Sequence, residues 1–207
     1  MRARAAAALP AILLLASACA STFHPVTAPD AARALDAWTR AIRDADLGKD
    51  ANLLYDAVVS QGVASTRGTL AVRLRGERVE ASLAGPFGAP LATYADGQLR
   101  GEKIASVAIA PRQLRALLAG VWSGEAPEVR GQRSGQALLV WSGSDAARGV
   151  LDLAQGRLVR LSVSGPQGEI EARYAGPWTP WPGAVVIDEK RLGSRLKLRL
   201  LSREPSA

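Results

Sequence analysis

Along most of this chain apolar residues recur at every second position. Leu70, Val72 and Leu74 alternate with Arg73 and Arg75, and Val79, Ala81 and Leu83 alternate with Glu80 and Ser82. The same beat returns in Val159, Leu161 and Val163, and in Ile170, Ala172 and Tyr174. It is cleanest in Leu196, Leu198 and Leu200, with Lys197 and Arg199 between them. A period of two predicts strands with one buried face. Ala137 to Trp141, Gly149 to Leu153 and Ala184 to Asp188 join the series. Gly76-Glu77, Asp96-Gly97, Gly143-Ser144, Gln155-Gly156 and the Gly165 to Gly168 stretch read as turns between strands. Leu53 to Val63 fits helix or strand, and Lys103 to Ile109 has a less regular phase. The pattern predicts about ten or eleven short strands in one large antiparallel sheet or barrel.

Two stretches carry a helical period instead. In residues 30–46, Leu35, Trp38 and Ile42 share a face with Ala31, Ala34, Ala41 and Ala45. Thr27, Pro29 and Asp30 form its start signal, and Leu47-Gly48 its stop. Pro111 opens a second helix, striped by Leu114, Leu117 and Leu118 and stopped by Gly120. The fold class is therefore mainly β with small helices. Many one-sided strands curl, and the concave face must be filled. The helices either cover an apolar hollow loosely or complete a dry core, and the pattern leaves both open.

The first residues follow a different rule. Arg2 and Arg4 precede an apolar run from Ala5 to Leu15, shorter than the roughly 20 residues of a membrane span. The run leads to Ala16-Ser17-Ala18-Cys19, which holds the chain's one Cys. This resembles a bacterial lipobox, with cleavage before Cys19 and lipid attached to it. Ala20 in place of Asp points to the outer membrane under the known sorting rule. Residues 1–18 thus read as a signal peptide, 19–29 as a lipidated tether and 30–207 as a single domain. With Cys19 lipidated, no thiol is left for a disulfide.

Charge and chemistry narrow the function. Without Arg2 and Arg4 the chain has 24 Lys and Arg against 19 Asp and Glu. Export argues against a nucleic-acid partner, and Arg73, Arg75, Lys197 and Arg199 sit in the solvent phase of strands. The single His, His24, lies in the tether with no ligand spacing around it. No Ser/His/Asp set, spare Cys, Walker loop or HExxH helix can be assembled. The expectation is a non-catalytic, monomeric binding protein without cofactor or metal.

One loop stands apart. Gly85-Pro86-Phe87-Gly88-Ala89-Pro90 joins two strands and places one of two Phe residues at its tip. An apolar ring there folds back on the sheet, enters a membrane or meets a partner.

The order of parts resembles the LolA/LolB-like family, and its LolB branch in particular. The resemblance rests on LAGPFGAPLATY, on Pro111 to Gly120, and on Trp181-Pro182 followed by IDEKRLGSRLKLRL. It implies an unclosed antiparallel barrel with a helical plug, covering about residues 30–201. It also implies an outer-membrane, periplasm-facing lipoprotein that receives lipoproteins from a periplasmic carrier and binds their acyl chains, or phospholipid. By motif position, Phe87 between Pro86 and Gly88 would be the membrane-insertion residue. Leu70, Val72, Leu83, Leu114, Leu118, Leu161 and Leu198 would line the acyl cavity. Phe stands where the family usually has Leu, and Leu117-Leu118 where Trp is common. The competing expectation is an envelope-assembly lipoprotein that uses the same fold to bind protein.

Overall fold

The computed structural model describes residues 23–47, 49–101, 107–142, 146–165 and 168–205. The signal stretch, Cys19 and parts of three predicted segments (102–106, 143–145 and 166–167) lie outside these.

After helix α1 (Ala28–Ala45) come β1 (Ala51–Gln61), β2 (Ala64–Arg75), β3 (Arg78–Ala84), β4 (Pro90–Ala95), β5 (Gln98–Arg100) and β6 (Val107–Ala108). Helix α2 (Pro111–Ala119) interrupts the series. It resumes with β7 (Glu128–Arg133), β8 (Gln136–Trp141), β9 (Ala147–Asp152), β10 (Arg157–Gly165), β11 (Gly168–Trp178), β12 (Pro182–Glu189) and β13 (Ser194–Pro205). The thirteen described strands form one antiparallel sheet, ordered β6-β5-β4-β3-β2-β1-β13-β12-β11-β10-β9-β8-β7. The order ends on different strands, so the sheet is unclosed.

Thirteen exceeds the ten or eleven expected, for a physical reason. β5 is three residues long, too short to show a period, and β7 is an edge strand with one apolar side chain, Val129, so neither shows an alternation. The stretch that fitted helix or strand is β1. Leu53, Tyr55 and Ala57 point inward, and main-chain ladders to β2 and β13 flank it.

Helix α1 starts at Ala28, two residues before the expected position. Thr27 Oγ1 accepts from Asp30 N at 3.4 Å and donates to Asp30 Oδ2 at 2.7 Å, which meets an otherwise orphaned helical N–H. It ends at Asp46, whose left-handed backbone (φ 51°) does the work expected of Gly48. The Ala34, Ala37, Trp38, Ala41 and Ala45 face is buried, and α1 packs on β7 and β10. Trp38 meets Trp141 edge to face at 5.1 Å, and Trp181 Nε1 donates to the Ala45 carbonyl at 3.0 Å. Trp38, Trp141 and Trp181 thus pack the interior beneath α1, and Trp122 belongs to the same buried core.

Helix α2 lies against β3, β11 and β12. It stops at Gly120, whose φ is 69° and where a side chain would collide with Trp178 at 2.6 Å. Arg115 Nη1 donates to the Leu47 carbonyl at 2.6 Å, linking α2 to the end of α1.

On the convex face, Arg67 and Arg199 share Asp56, and Arg173 and Arg195 share Asp188. Turns of an antiparallel meander alternate between two rims. Turns 62–63, 85–89 and 190–193 close one rim, and turns 76–77, 134–135 and 153–156 the other. The chain joins the sheet where His24 exchanges main-chain hydrogen bonds with Gln132, at 3.0 and 2.9 Å, beside the 134–135 turn.

Candidate functional site: an apolar cavity and an exposed hairpin tip

The interior beside α2 is not filled. A cavity of about 120 Å³ lies among β2, β3, β4 and α2. Leu70 and Val72 come from β2, Ala81 and Leu83 from β3, and Ala92 and Tyr94 from β4. Leu114, Leu117 and Leu118 of α2 make the facing wall. Val59, Ile187 and Leu196 close the floor towards β1, β12 and β13. Strand alternation explains the chemistry, because each contributes its inward phase.

The cavity's polar lining is small and lies at one place. Glu189, Ser194 and Arg195 flank the 190–193 turn. Glu189 takes the inward phase of β12 and is only 7% exposed, a costly position for a carboxylate. It is satisfied locally, accepting from the backbone N–H of Arg191 at 3.0 Å and of Leu192 at 2.5 Å. Arg195 Nε donates to Asp188 Oδ1 at 2.5 Å. Burial works against the Asp188 carboxylate, but hydrogen bonds from Arg195 and Arg173 win and hold its pKa below the usual value. Tyr94, pushed up to about 12 by burial, stays a neutral donor. Its hydroxyl reaches the Ile109 carbonyl at 2.6 Å.

Five of the seven residues expected to line an acyl cavity come together here: Leu70, Val72, Leu83, Leu114 and Leu118. Leu161 and Leu198 do not line it. Both are buried in the packed core, at 0% and 3% exposure. Leu198 is paired between Ala57 and Val185, and the neighbouring inward position, Leu196, forms the wall instead. Tyr94, Ile109 and Glu189 were missed. Tyr94 shares the β4 phase with Ala92, which could have found it; nothing in the sequence marks Glu189.

The β3–β4 strands that wall the cavity end in the Phe87 turn. Gly85 N donates to the Ala89 carbonyl at 2.7 Å, and Gly88 N to the Gly85 carbonyl at 3.1 Å. Between them Pro86–Gly88 forms a 3-10 turn, with Phe87 at a left-handed φ of 63°. The ring does not fold back: Phe87 is 107% exposed. Gly68 of β2 lets this hairpin sit close, since a Cβ there would lie 2.1 Å from the Ala84 carbonyl oxygen. Pro86 and Gly88 are exposed beside Phe87.

Among the described residues no cluster of three or more His, Cys, Asp or Glu could hold a metal, and no helix is long and apolar enough to cross a membrane.

No family model matches the chain, and no curated protein matches it. Solved structures do. A putative outer membrane lipoprotein-sorting protein domain from Vibrio parahaemolyticus is 9% identical and covers 86% of this chain and 94% of its own, with a TM-score of 0.45. A LolA superfamily protein from Nitrosomonas europaea is 11% identical over 82% of this chain and 94% of its own, with a TM-score of 0.53. This chain has a fold similar to that LolA superfamily protein, mostly β, with an unclosed antiparallel sheet and two helices.

Proposed function

We propose that this chain is a non-catalytic outer-membrane lipoprotein of LolB type, which receives lipoproteins from a periplasmic carrier and places them in the membrane. Client acyl chains, or those of phospholipid, enter the cavity between the sheet and α2, and α2 acts as the plug. Cys19 carries the chain's own lipid and holds it on the periplasmic side of the outer membrane. Phe87 touches the bilayer at handover. The observation that carries this reading is the placement of a fully exposed Phe87 on the same two strands that wall an apolar cavity.

The cavity's size sets a condition. About 120 Å³ is near the volume of an engineered cavity that holds one benzene, too little for a whole acyl chain. Uptake requires α2 to move away from β3 and β12. The same small volume favours a second reading, in which the fold is a rigid protein-binding module for envelope assembly. Native mass spectrometry of the soluble domain separates the two, since the module carries no lipid.

The test is handover itself. Residues 20–207 are mixed with a periplasmic carrier loaded with a lipoprotein, with and without membranes. The receptor reading expects the client to move to the wild-type domain, and Phe87→Glu to accept it but fail to release it into membrane. A folded domain that takes no client overturns the reading.

A further inference from the structure

Two hairpins, not one, close the cavity's rim with an exposed apolar side chain. Val63, at the β1–β2 turn, is 107% exposed, as Phe87 is at the β3–β4 turn. β1, β2, β3 and β4 are consecutive neighbours, so the two hairpins stand two strand spacings apart across the sheet, about 10 Å, and the β1–β2 hairpin runs on from Gly68 to Ala64 past the last β2–β3 pair, Thr69 with Ala84. Gly62 takes the left-handed φ of this turn, 57°, so the backbone makes no demand that a valine meets at position 63. A polar residue would serve that exposed turn position as well, and a β-branched side chain gains nothing there. Its side chain touches nothing, so folding does not explain it.

The charge on this rim is uneven. No charged residue occurs from Ala57 to Thr66, or from Ala81 to Ala95. Next along the rim, Gln61 pairs with Ser194, which follows the turn bearing Lys190 and Arg191. Lys190 bonds to Glu169 at 3.2 Å. No described carboxylate pairs with the exposed Arg191 side chain; its turn is held through the backbone by Glu189. Two uncharged apolar tips beside a cation that no described carboxylate pairs suit an interface that is apolar within and anionic at its surface.

We propose that the rim carrying Val63, Phe87 and Arg191 docks on a bilayer surface of anionic phospholipid. Val63 and Phe87 enter the acyl boundary together, and Arg191 meets headgroup phosphate. Two insertion points with Arg191 as a third contact fix the tilt of the domain, which one point cannot do, and bring the polar residues at the cavity's edge, Ser194 and Arg195, to headgroup level. The proposal rests on the receptor reading and adds Val63 and Arg191 to it.

Flotation of residues 20–207, which keep every element of the described fold, tests it with vesicles of phosphatidylcholine alone or with one-third phosphatidylglycerol. Val63→Asp should weaken binding about tenfold, because it removes a buried valyl group and adds a charge, with no change in melting temperature. Val63→Ile should bind as wild type does. Arg191→Ala should weaken binding about fivefold on the anionic vesicles, and not on neutral ones. Wild-type binding by Val63→Asp overturns the two-point face, as does a wild-type domain that binds neither vesicle. Client uptake from the carrier is followed in parallel. If uptake survives while vesicle binding fails, the docking face falls and the receptor reading stands; if wild-type uptake fails, the receptor reading itself falls.

Discussion

The hydroxyl of Tyr94 holds the carbonyl of Ile109 at 2.6 Å, and so ties the cavity wall to the segment that leads into α2. Removing that tie should loosen the plug. Tyr94→Phe leaves the Ile109 carbonyl without its partner and should cost about 1 kcal/mol by denaturant unfolding. It should also speed uptake of a fluorescent fatty acid. Unchanged uptake would show that α2 is not held at this point.

Filling the cavity should separate binding from folding. Ala81 lies between Val72 and Tyr94 in the sheet, and its side chain faces the hollow. Ala81→Phe should abolish fatty-acid binding at a cost of no more than about 1–3 kcal/mol in stability. Binding that persists would place the acyl site elsewhere.

The left-handed backbone at Phe87 costs roughly 1 kcal/mol for a residue with a Cβ. Phe87→Gly should therefore make the domain more stable, by about 0.5–1 kcal/mol, while impairing release into membranes. A protein that keeps Phe at such a φ bears strain at its tip. A loss of stability in Phe87→Gly would show that the ring packs on the domain after all.

Acid should weaken the convex face. The Asp56 pKa lies below the usual carboxylate value because Arg67, and then Arg199, hydrogen-bond its ionised form. Asp188 is lowered by Arg195 and Arg173 against the opposing effect of burial. A lowered folded pKa gives stability that is complete above the unfolded carboxylate value of about 3.9 and lost as pH falls through the folded pKa. Melting temperature should be flat from neutral pH down to about pH 5 and fall below it. Asp188→Asn should flatten part of that fall. An equal fall in the variant would exclude Asp188 as its source.

The outline of the fold was legible because each inner strand carries its own alternation, as Leu196, Leu198 and Leu200 do. Thr27 with Asp30 marked the first helix to within two residues. β7 was not legible, since an edge strand with Val129 alone buries too little to leave a pattern. The cavity was half legible. Leu114 and Leu161 look alike in sequence, but one faces the hollow and the other the packed core. The difference lies in helix placement and in rings as far apart in sequence as Trp38, Trp141 and Trp181, which periodicity cannot reveal. The exposure of Phe87 follows from a turn too tight to let its ring reach back.

The His24–Gln132 bridge bears on reach. It lies by the rim opposite the Phe87 turn. Four peptide units separate Cys19 from Phe23, no more than about 14 Å when extended. β2 alone, at twelve residues, spans roughly 40 Å. If Cys19 carries lipid, a molecule at rest turns Phe87 away from the leaflet that anchors it. Freeing Phe23 to Thr27 from β7 doubles the leash to about 28 Å, still short of the length of β2, for the loss of the two main-chain hydrogen bonds between His24 and Gln132. A disulfide joining His24→Cys to Gln132→Cys, an antiparallel pair, would lock the short leash. If the strap sets the reach of a lipid-anchored domain, that molecule should still take up client yet deliver less of it to its own membrane than the molecule whose strap can open.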